Sequence, residues 1–265
     1  MKNRILAISL FVLLSVGSAK AWGGFGHSAI AYIAEKHLTP EAKEKCRYYL
    51  KHTLPYYASW MDHWRSVPQY KSVNNPHSVM AMSDGVNLDW GGTPEGRVMG
   101  HLKNALAELG NGAYKNLPDS VVRQRIINMI HYLPDMHCPV HVGFPKADFP
   151  QYRYSIYRNG KKISIHKFWD GAPGYKRHGW SVAKYAEEID HATPKQVKKW
   201  QKGSLDAWGR DIVKQGHLLR QITYADVDIA QFGEKEIAKV HELADEAALK
   251  AAYRLAYVLN MLFTE

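Results

Sequence analysis

The sequence predicts a mainly α-helical protein, a multi-helix bundle carrying one small β-hairpin. Three observations carry that expectation. Apolar residues recur at helical spacing through most of the chain, proline and cap residues mark helix starts, and only one segment alternates like paired strands. The 265 residues are enough for one domain with a sizeable core. No repeat, low-complexity tract or composition break divides residues 22–265, which read as a single domain.

Residues 1–21 read as a secretory signal peptide that is removed. Lys2 and Arg4 give a basic start, Ile5 to Val16 form an apolar run too short to span a bilayer comfortably, and Ala19-Lys20-Ala21 is a small-x-small cleavage signal. Cleavage there leaves Trp22 at the mature N-terminus and sends the protein to the periplasm or the medium. No later stretch is apolar enough for a membrane span, so no stable membrane association is expected.

Helices are then expected over 27–37, from the Thr39-Pro40-Glu41 cap to Leu50, and over 57–66. Asn74-Asn75-Pro76 and Asp84 to Pro94 read as loops. Residues 97–109 form a helix closed by Gly110. The next begins at Asp119-Ser120 and runs through Ile126, Ile127, Ile130 and Leu133, with Pro134 expected to bend or break it and Pro139 to begin or perturb the next element. Residues 152–157 and 161–166 alternate around Asn159-Gly160, a strong hairpin signal. Helices near 180–190, over 194–213 and over 223–229 precede a long final helix at 234–262, with Ala and Leu on its buried face.

Removing Lys2, Arg4 and Lys20 lowers Lys plus Arg from 35 to 32 against 25 acidic residues, so the net charge falls from +10 to +7. A basic surface favours polyanions such as nucleic acid or anionic lipid. The two cysteines, Cys46 and Cys138, allow at most one disulfide and exclude a Cys₄ metal site. Any metal must therefore be held by histidine and carboxylate.

The chain has 14 histidines. His37, His52, His63, His101, His178, His191, His217 and His241 lack carboxylates at ligand spacing and read as surface or core residues. The segment from His131 to His141 differs. His131 and Asp135 are four apart, which on a helix stacks them on one face and offers zinc two ligands from rigid backbone. His141 lies six residues further on, although His137 competes with it at this level. His166 and Asp170 repeat the i,i+4 pair. Upstream lie His27 after the glycine-rich Trp22-Gly23-Gly24-Phe25-Gly26, Asp62 within Ser59-Trp60-Met61-Asp62, and His77 after Pro76.

Taken in order, Trp-x₄-His, Ser-Trp-x-Asp, a single His, His-x₃-Asp-x₅-His and His-x₃-Asp resemble the S1/P1 zinc nuclease family, relatives of the bacterial zinc phospholipases C. The resemblance implies an all-helical zinc hydrolase holding three Zn²⁺ per chain. One ion would take Asp62, His77, His131 and Asp135. A second would take His141, His166 and Asp170. The third would take the amino group and carbonyl of Trp22, with His27 and the bridging Asp135. Arg65, one turn after Asp62, matches a basic residue that faces phosphate, and His137 matches a histidine that is not a ligand. A free α-amine deprotonates far more readily than a lysine side chain, so leader cleavage would complete the third site.

The implied activity is hydrolysis of single-stranded DNA or RNA to 5′-phosphate products, with 3′-nucleotidase activity, by a monomer. Metals activating water leave no need for a side-chain nucleophile, and Ser28, Ser59 and Ser78 receive no role. Asp62, Arg65 and Asp135 are the residues expected to matter most to catalysis. This sequence departs from the family at Pro134, where Gly is usual, at Cys138, where Gln is usual, and at Ser78-Val79-Met80, where relatives place an aromatic and then an acidic residue to hold the base. Tyr70 and Trp90 are the alternative stacking residues. A phospholipase C-type phosphodiesterase is the competing reading. Asp170 in place of Glu and the short Trp22–His27 spacing favour the nuclease branch. A non-catalytic zinc-binding protein is the third, and the full set of nine ligand positions argues against it.

Overall fold

A computed structural model describes residues 22–64, 67, 77–82, 84–88, 98–144 and 154–264. The leader, Arg65, Tyr70 and Trp90 lie outside the described residues. Eleven α-helices appear among them, in chain order α1 (Gly23–Lys36), α2 (Pro40–Leu50), α3 (Leu54–Tyr57), α4 (Trp60–Trp64), α5 (Val98–Leu109), α6 (Asp119–Met136), α7 (Ile165–Asp170), α8 (Val182–Ile189), α9 (Pro194–Gln201), α10 (Leu205–Ile222) and α11 (Glu234–Phe263). The mainly helical expectation holds.

Local chemistry sets most of the boundaries. Thr39 caps α2 through its hydroxyl, which accepts from the Ala42 N–H at 3.2 Å, with Pro40 in the first turn. Asn159 and Gly160 take φ of 51° and 71°, so the hairpin of β3 (Ser155–Arg158) and β4 (Lys161–Ser164) closes through a two-residue turn with both central residues left-handed. The second strand stops earlier than the alternation suggests. The Ser164 hydroxyl accepts from Lys167 N–H and starts α7, which puts His166 on a helix.

Four expectations are corrected. In the described part of 57–66 the chain leaves α3 at Tyr57, turns at Ala58-Ser59 and starts α4 at Trp60 instead of forming one helix. The segment 194–213 is also two helices, separated where Gly203 adopts a φ of 100° and Ser204 recaps the chain. Residues 223–229 do not form a helix. Thr223 ends α10 and a 3₁₀ turn follows at Ile229–Gln231. Pro134 does not break α6, which continues to Met136. A proline that close to a helix end forfeits one backbone hydrogen bond and leaves little helix beyond it to disrupt.

A second, unpredicted sheet pairs β1 (Val79–Met80) in parallel with β2 (Val142–Gly143). The Met80 side chain lies over Gly143, where a Cβ would fall 2.0 Å from Met80 Sδ and force that side chain to move. The pairing is short but consequential, because His77 and His141 lie just before its two strands.

The core has two clusters. One joins α2, α5, α6 and the end of α11 through residues such as Leu50, Leu102, Ile126, Ile130 and Leu259. The other joins α1, α7, α8 and the earlier part of α11 through Trp22, Ile30, Trp169, Tyr185 and Ala247. Alanines at 244, 247, 248, 251 and 252 on α11 and at 29, 31 and 34 on α1 are all buried. Such small residues let the two helices lie close together. Each fully buried large apolar side chain contributes about 1.5–3 kcal/mol relative to exposure. Cys46 and Cys138 are both buried, one in each cluster, and burial pushes the Cys46 thiol up to about 12. They do not form the disulfide that the composition permits.

Candidate metal centre

The site lies along the seam between the two clusters, and α6 is its spine. His131 and Asp135 sit one turn apart, with His131 Nε2 3.2 Å from Asp135 Oδ2. Through Nδ1, His131 donates to the carbonyl of Ala58 at 2.8 Å, which fixes the ring and aims Nε2 into the site. From α1, His27 stacks on His131 with ring centroids 4.4 Å apart and places Nε2 3.3 Å from Asp135 Oδ1. From α4, Asp62 Oδ1 comes within 3.9 Å of His131 Nε2.

The parallel pair β1–β2 delivers two more rings. His77 Nδ1 is 2.7 Å from Asp135 Oδ2 and 3.2 Å from His131 Nε2. His141 Nδ1 is 3.6 Å from Asp135 Oδ1. The Asp135 carboxylate therefore divides its oxygens: Oδ1 faces His27 and His141, and Oδ2 faces His77 and His131. On α7, His166 Nε2 lies 3.7 Å from Asp170 Oδ1, and the His166 ring is 5.0 Å from that of His141. The expected side chains of Asp62, His77, His131, Asp135, His27, His141, His166 and Asp170 thus form one continuous chain of contacts.

Trp22 is fully buried beside them. Its indole N–H donates to Pro134 O at 2.8 Å and its ring lies 5.5 Å from Trp169. Gly23 follows with a φ of 53°, and a Cβ there would meet Asp170 O at 2.9 Å. Position 22 is thereby pinned between the ends of α6 and α7, held on one side by the residue preceding Asp135 and close to Asp170 on the other.

Burial is graded. His27, His131 and Asp135 are inaccessible, whereas the side chains of His166 and Asp170 are 25% and 18% exposed, so the cluster opens toward α7. Among the described residues, both nitrogens of His27, Nε2 of His77, Nδ1 of His141 and both oxygens of Asp135 are buried without a hydrogen-bond partner. Buried polar atoms normally find partners, and leaving one unmatched costs about 1–3 kcal/mol. Several such atoms converging on shared points, from histidine and carboxylate alone, fit a cation better than they fit one another. His27, His131 and Asp135 form one group able to hold an ion, and Asp62, His77 and His131 another.

The electrostatics agree. Burial works against the charged form of Asp135, yet His131, His77 and His141 hold its carboxyl well below the usual range. Burial likewise opposes protonation of His131, but Asp135 and Asp62 outweigh it and raise this group to about 9. Burial lowers His27, and it depresses His141 to about 3. An ionised carboxylate among mostly neutral imidazoles is the donor set that a divalent metal requires.

His137, the rival of His141, is accounted for. Its Nδ1 donates to Leu133 O at 2.7 Å and its Nε2 accepts from Arg254 at 2.8 Å, so it turns away from the cluster. Of the histidines set aside from sequence, His37 meets Asp190, His63 meets Ser59 O, His217 meets Gly85 O and His241 meets Tyr175 O. Sequence reasoning missed the supporting residues. Ala58 acts through its backbone, which no side-chain pattern reveals. Tyr132, 5.3 Å from the His77 ring and stacked on His101, reads in sequence as one more apolar position of α6.

The family model described as S1/P1 Nuclease matches residues 22–264. The chain belongs to the S1/P1 nuclease family. Nuclease S1 of Aspergillus oryzae is 22% identical over an alignment that covers 99% of each chain. Endonuclease 3 of Arabidopsis thaliana is 22% identical over 180 residues, which are 63% of this chain and 60% of that protein. S1/P1 nucleases are zinc-dependent, and the His/Asp groups of this member fit that requirement. Membership supports phosphodiester hydrolysis of nucleic acid. Among the described residues, no helix is long and apolar enough to cross a membrane.

Proposed function

We propose that this S1/P1 family member is a secreted phosphodiesterase with three zinc ions. On this reading it cleaves single-stranded DNA and RNA to 5′-phosphate products and removes 3′-phosphates from nucleotides, after residues 1–21 are cut away. The observation that carries the reading is Asp135, a buried carboxylate whose two unmatched oxygens each face a different pair of histidines. Asp62, His77, His131 and Asp135 would hold one ion, and His141, His166 and Asp170 a second. The Trp22 amino group and carbonyl, His27 and Asp135 would hold the third. The indole hydrogen bond of Trp22 to Pro134 O, next to Asp135, and the close approach of Gly23 to Asp170 support the last assignment.

When bound, the zinc ions supply Lewis acidity, lowering the pKa of water and neutralising phosphoryl charge. The protein's own groups do the rest. Its neighbouring histidines hold Asp135 in the ionised form, so it would hold a cation without first losing a proton. The Ala58 carbonyl holds His131 in the tautomer whose Nε2 faces inward. Burial of His27, His131 and Asp135 keeps bulk water from competing for the donors, while the opening toward α7 admits a substrate. Arg65 is assigned to the phosphate as a fixed positive charge that strengthens as negative charge develops.

The test uses purified protein beginning at Trp22, assayed on single-stranded RNA and DNA with and without chelator, beside Asp135→Asn. Loss of acid-soluble nucleotide release in both controls is expected, together with about three zinc per chain by elemental analysis. Activity insensitive to chelator and to the substitution would overturn the reading, and release of diacylglycerol from phospholipid instead would transfer the site to lipid hydrolysis. Adding one residue before Trp22 isolates the terminal amine. Full zinc content and activity in that form would remove it from the ligand set.

A further inference from the structure

The metal centre explains the inner face of α4 but not its outer one. Met61 and Asp62 point inward and are buried, while Trp60, His63 and Trp64 line a depression of about 440 Å³ together with Gly24 and Ser28 of α1 and Tyr56 of α3. Ser28 is the neighbour of His27, so this depression begins one residue from the metal cluster. Two further depressions join it. One, of about 450 Å³, shares Trp60 and continues past Tyr48, Lys51 and Arg123. The other, of about 370 Å³, shares Tyr56 and Lys51 and reaches Lys43 and Arg47.

The residues along this surface have a common character. Tyr56 is 62% exposed, Tyr48 51% and Trp64 39%, a concentration of rings open to solvent. His52 already stacks on Tyr56 at 4.1 Å, and Lys51 sits 4.4 Å over the Tyr48 ring. Arg123 donates to the Tyr57 hydroxyl at 2.6 Å. Against the cations Lys43, Arg47, Lys51 and Arg123 stand the carboxyls Glu35, half-buried, and Asp119, occupied by the Tyr48 hydroxyl. Exposed rings interleaved with cations match single-stranded nucleic acid, whose unpaired bases offer faces for stacking while the phosphates seek positive charge. A duplex hides those faces.

We propose that the outer surface of α2, α3 and α4 is a track for single-stranded nucleic acid, taking bases on Tyr56 and Tyr48 and phosphates on Lys51, Arg47 and Arg123, some nucleotides from the bond that is cut. It deepens the nuclease reading and rests on it for its link to turnover. The track supplies affinity for long strands and no contact with the reacting phosphate, so it separates long substrates from short ones.

The experiment compares the wild type with a Tyr48→Ala/Tyr56→Ala double variant and its Tyr48→Phe/Tyr56→Phe counterpart, on an oligothymidylate of about twenty nucleotides and on a dinucleotide. The alanine pair is expected to raise KM for the long strand about tenfold or more with kcat unchanged, and to leave the dinucleotide untouched. The phenylalanine pair keeps the rings and restores KM. Lys51→Ala with Arg47→Ala is expected to lower the salt slope of binding by about 1.4 for two lost phosphate contacts. An equal effect on both substrates, or none on either, overturns the track. Should the wild type cut neither substrate, the nuclease reading falls by itself. Anisotropy of the labelled oligothymidylate then judges the track separately: a tenfold weaker Kd for the alanine pair sustains it and an unchanged Kd ends it.

Discussion

Helix α6 and its C-terminal cap carry two buried histidines, six residues apart, into opposite situations. His131 and His137 are both inaccessible, and both donate through Nδ1 to a backbone carbonyl at nearly the same distance. Beyond that they diverge. His137 Nε2 accepts from Arg254, whose other N–H groups go to Trp200 O and Asp211, and Asp211 also receives Lys250. That network closes on itself. His131 Nε2 instead enters a cluster in which His27, His77, His141 and Asp135 keep unmatched atoms. Two buried polar groupings of similar composition therefore differ in whether the protein alone can satisfy them. The closed one is structural, whereas the open one is built for something the polypeptide does not provide.

Asp135→Asn breaks the contrast most severely. Asparagine keeps the volume but loses the charge that faces four histidines. Zinc content should fall by at least one ion and hydrolysis by about 10³-fold, read by elemental analysis and single-turnover assay. Above about pH 9, where His131 of the metal-free protein is neutral, the substitution should cost that protein little stability, since this aspartate is then poorly matched without a cation. Next comes Arg254→Met, which opens the closed network by leaving His137 Nε2 and Trp200 O without their donor, while Asp211 keeps Lys250. Leaving those buried partners unmatched costs about 1–3 kcal/mol, visible as a lower urea midpoint with zinc stoichiometry retained in the folded fraction. If at that alkaline pH Asp135→Asn destabilises the metal-free chain as much as Arg254→Met does, the distinction between the two groupings is wrong.

The two histidines should also titrate with opposite sign in metal-free protein. Burial opposes protonation of His131, but Asp135 wins and lifts it to about 9, above its unfolded value near 6.5. Its contribution to stability is thus complete below about 6.5 and is lost as pH rises through 9. His137 is pushed well below its ordinary value by burial and by Arg254. The unfolded chain then takes up a proton that the fold refuses, so its contribution is complete above about 6.5 and is lost as pH falls. The slope approaches about 1.4 kcal/mol per pH unit for one proton. Urea midpoints between pH 5 and 7 should rise more steeply for the wild type than for His137→Gln, and equal slopes would contradict the assignment.

Much of the open grouping was legible in the sequence because helical spacing is a strong constraint. Two i,i+4 His/Asp pairs must share a helix face, and His131–Asp135 and His166–Asp170 do. The Asn159-Gly160 turn and the long alanine-rich last helix were equally readable, since each depends on local chemistry. What sequence left open depends on contacts between distant segments. The choice between His137 and His141 turns on Arg254, more than a hundred residues away, and on a two-residue parallel pairing of β1 with β2 that no alternation announces. The break between α9 and α10 came from Gly203 and Ser204 inside a pattern whose apolar spacing runs through. Pro134 misled for a different reason: a helix-breaking residue has little left to break within the last turn.

The smallest expected effect sharpens the comparison at its edge, where Trp22 belongs to both kinds of grouping. Its indole N–H is satisfied by Pro134 O and its ring packs on Trp169, which is ordinary core structure, while its backbone is assigned to the open cluster. Trp22→Phe in protein beginning at this residue removes the hydrogen bond and retains an aromatic ring and the α-amine. The loss of one buried hydrogen bond, which leaves the carbonyl with its other donor from His137, should cost about 1 kcal/mol by urea denaturation of the metal-free protein. Zinc stoichiometry should not change, because no donor atom has been removed. A variant that loses an ion with so mild a change would mean that the indole, rather than the terminal amine, organises the third site, and the extended form beginning one residue before Trp22 would then bind zinc as well as the wild type does.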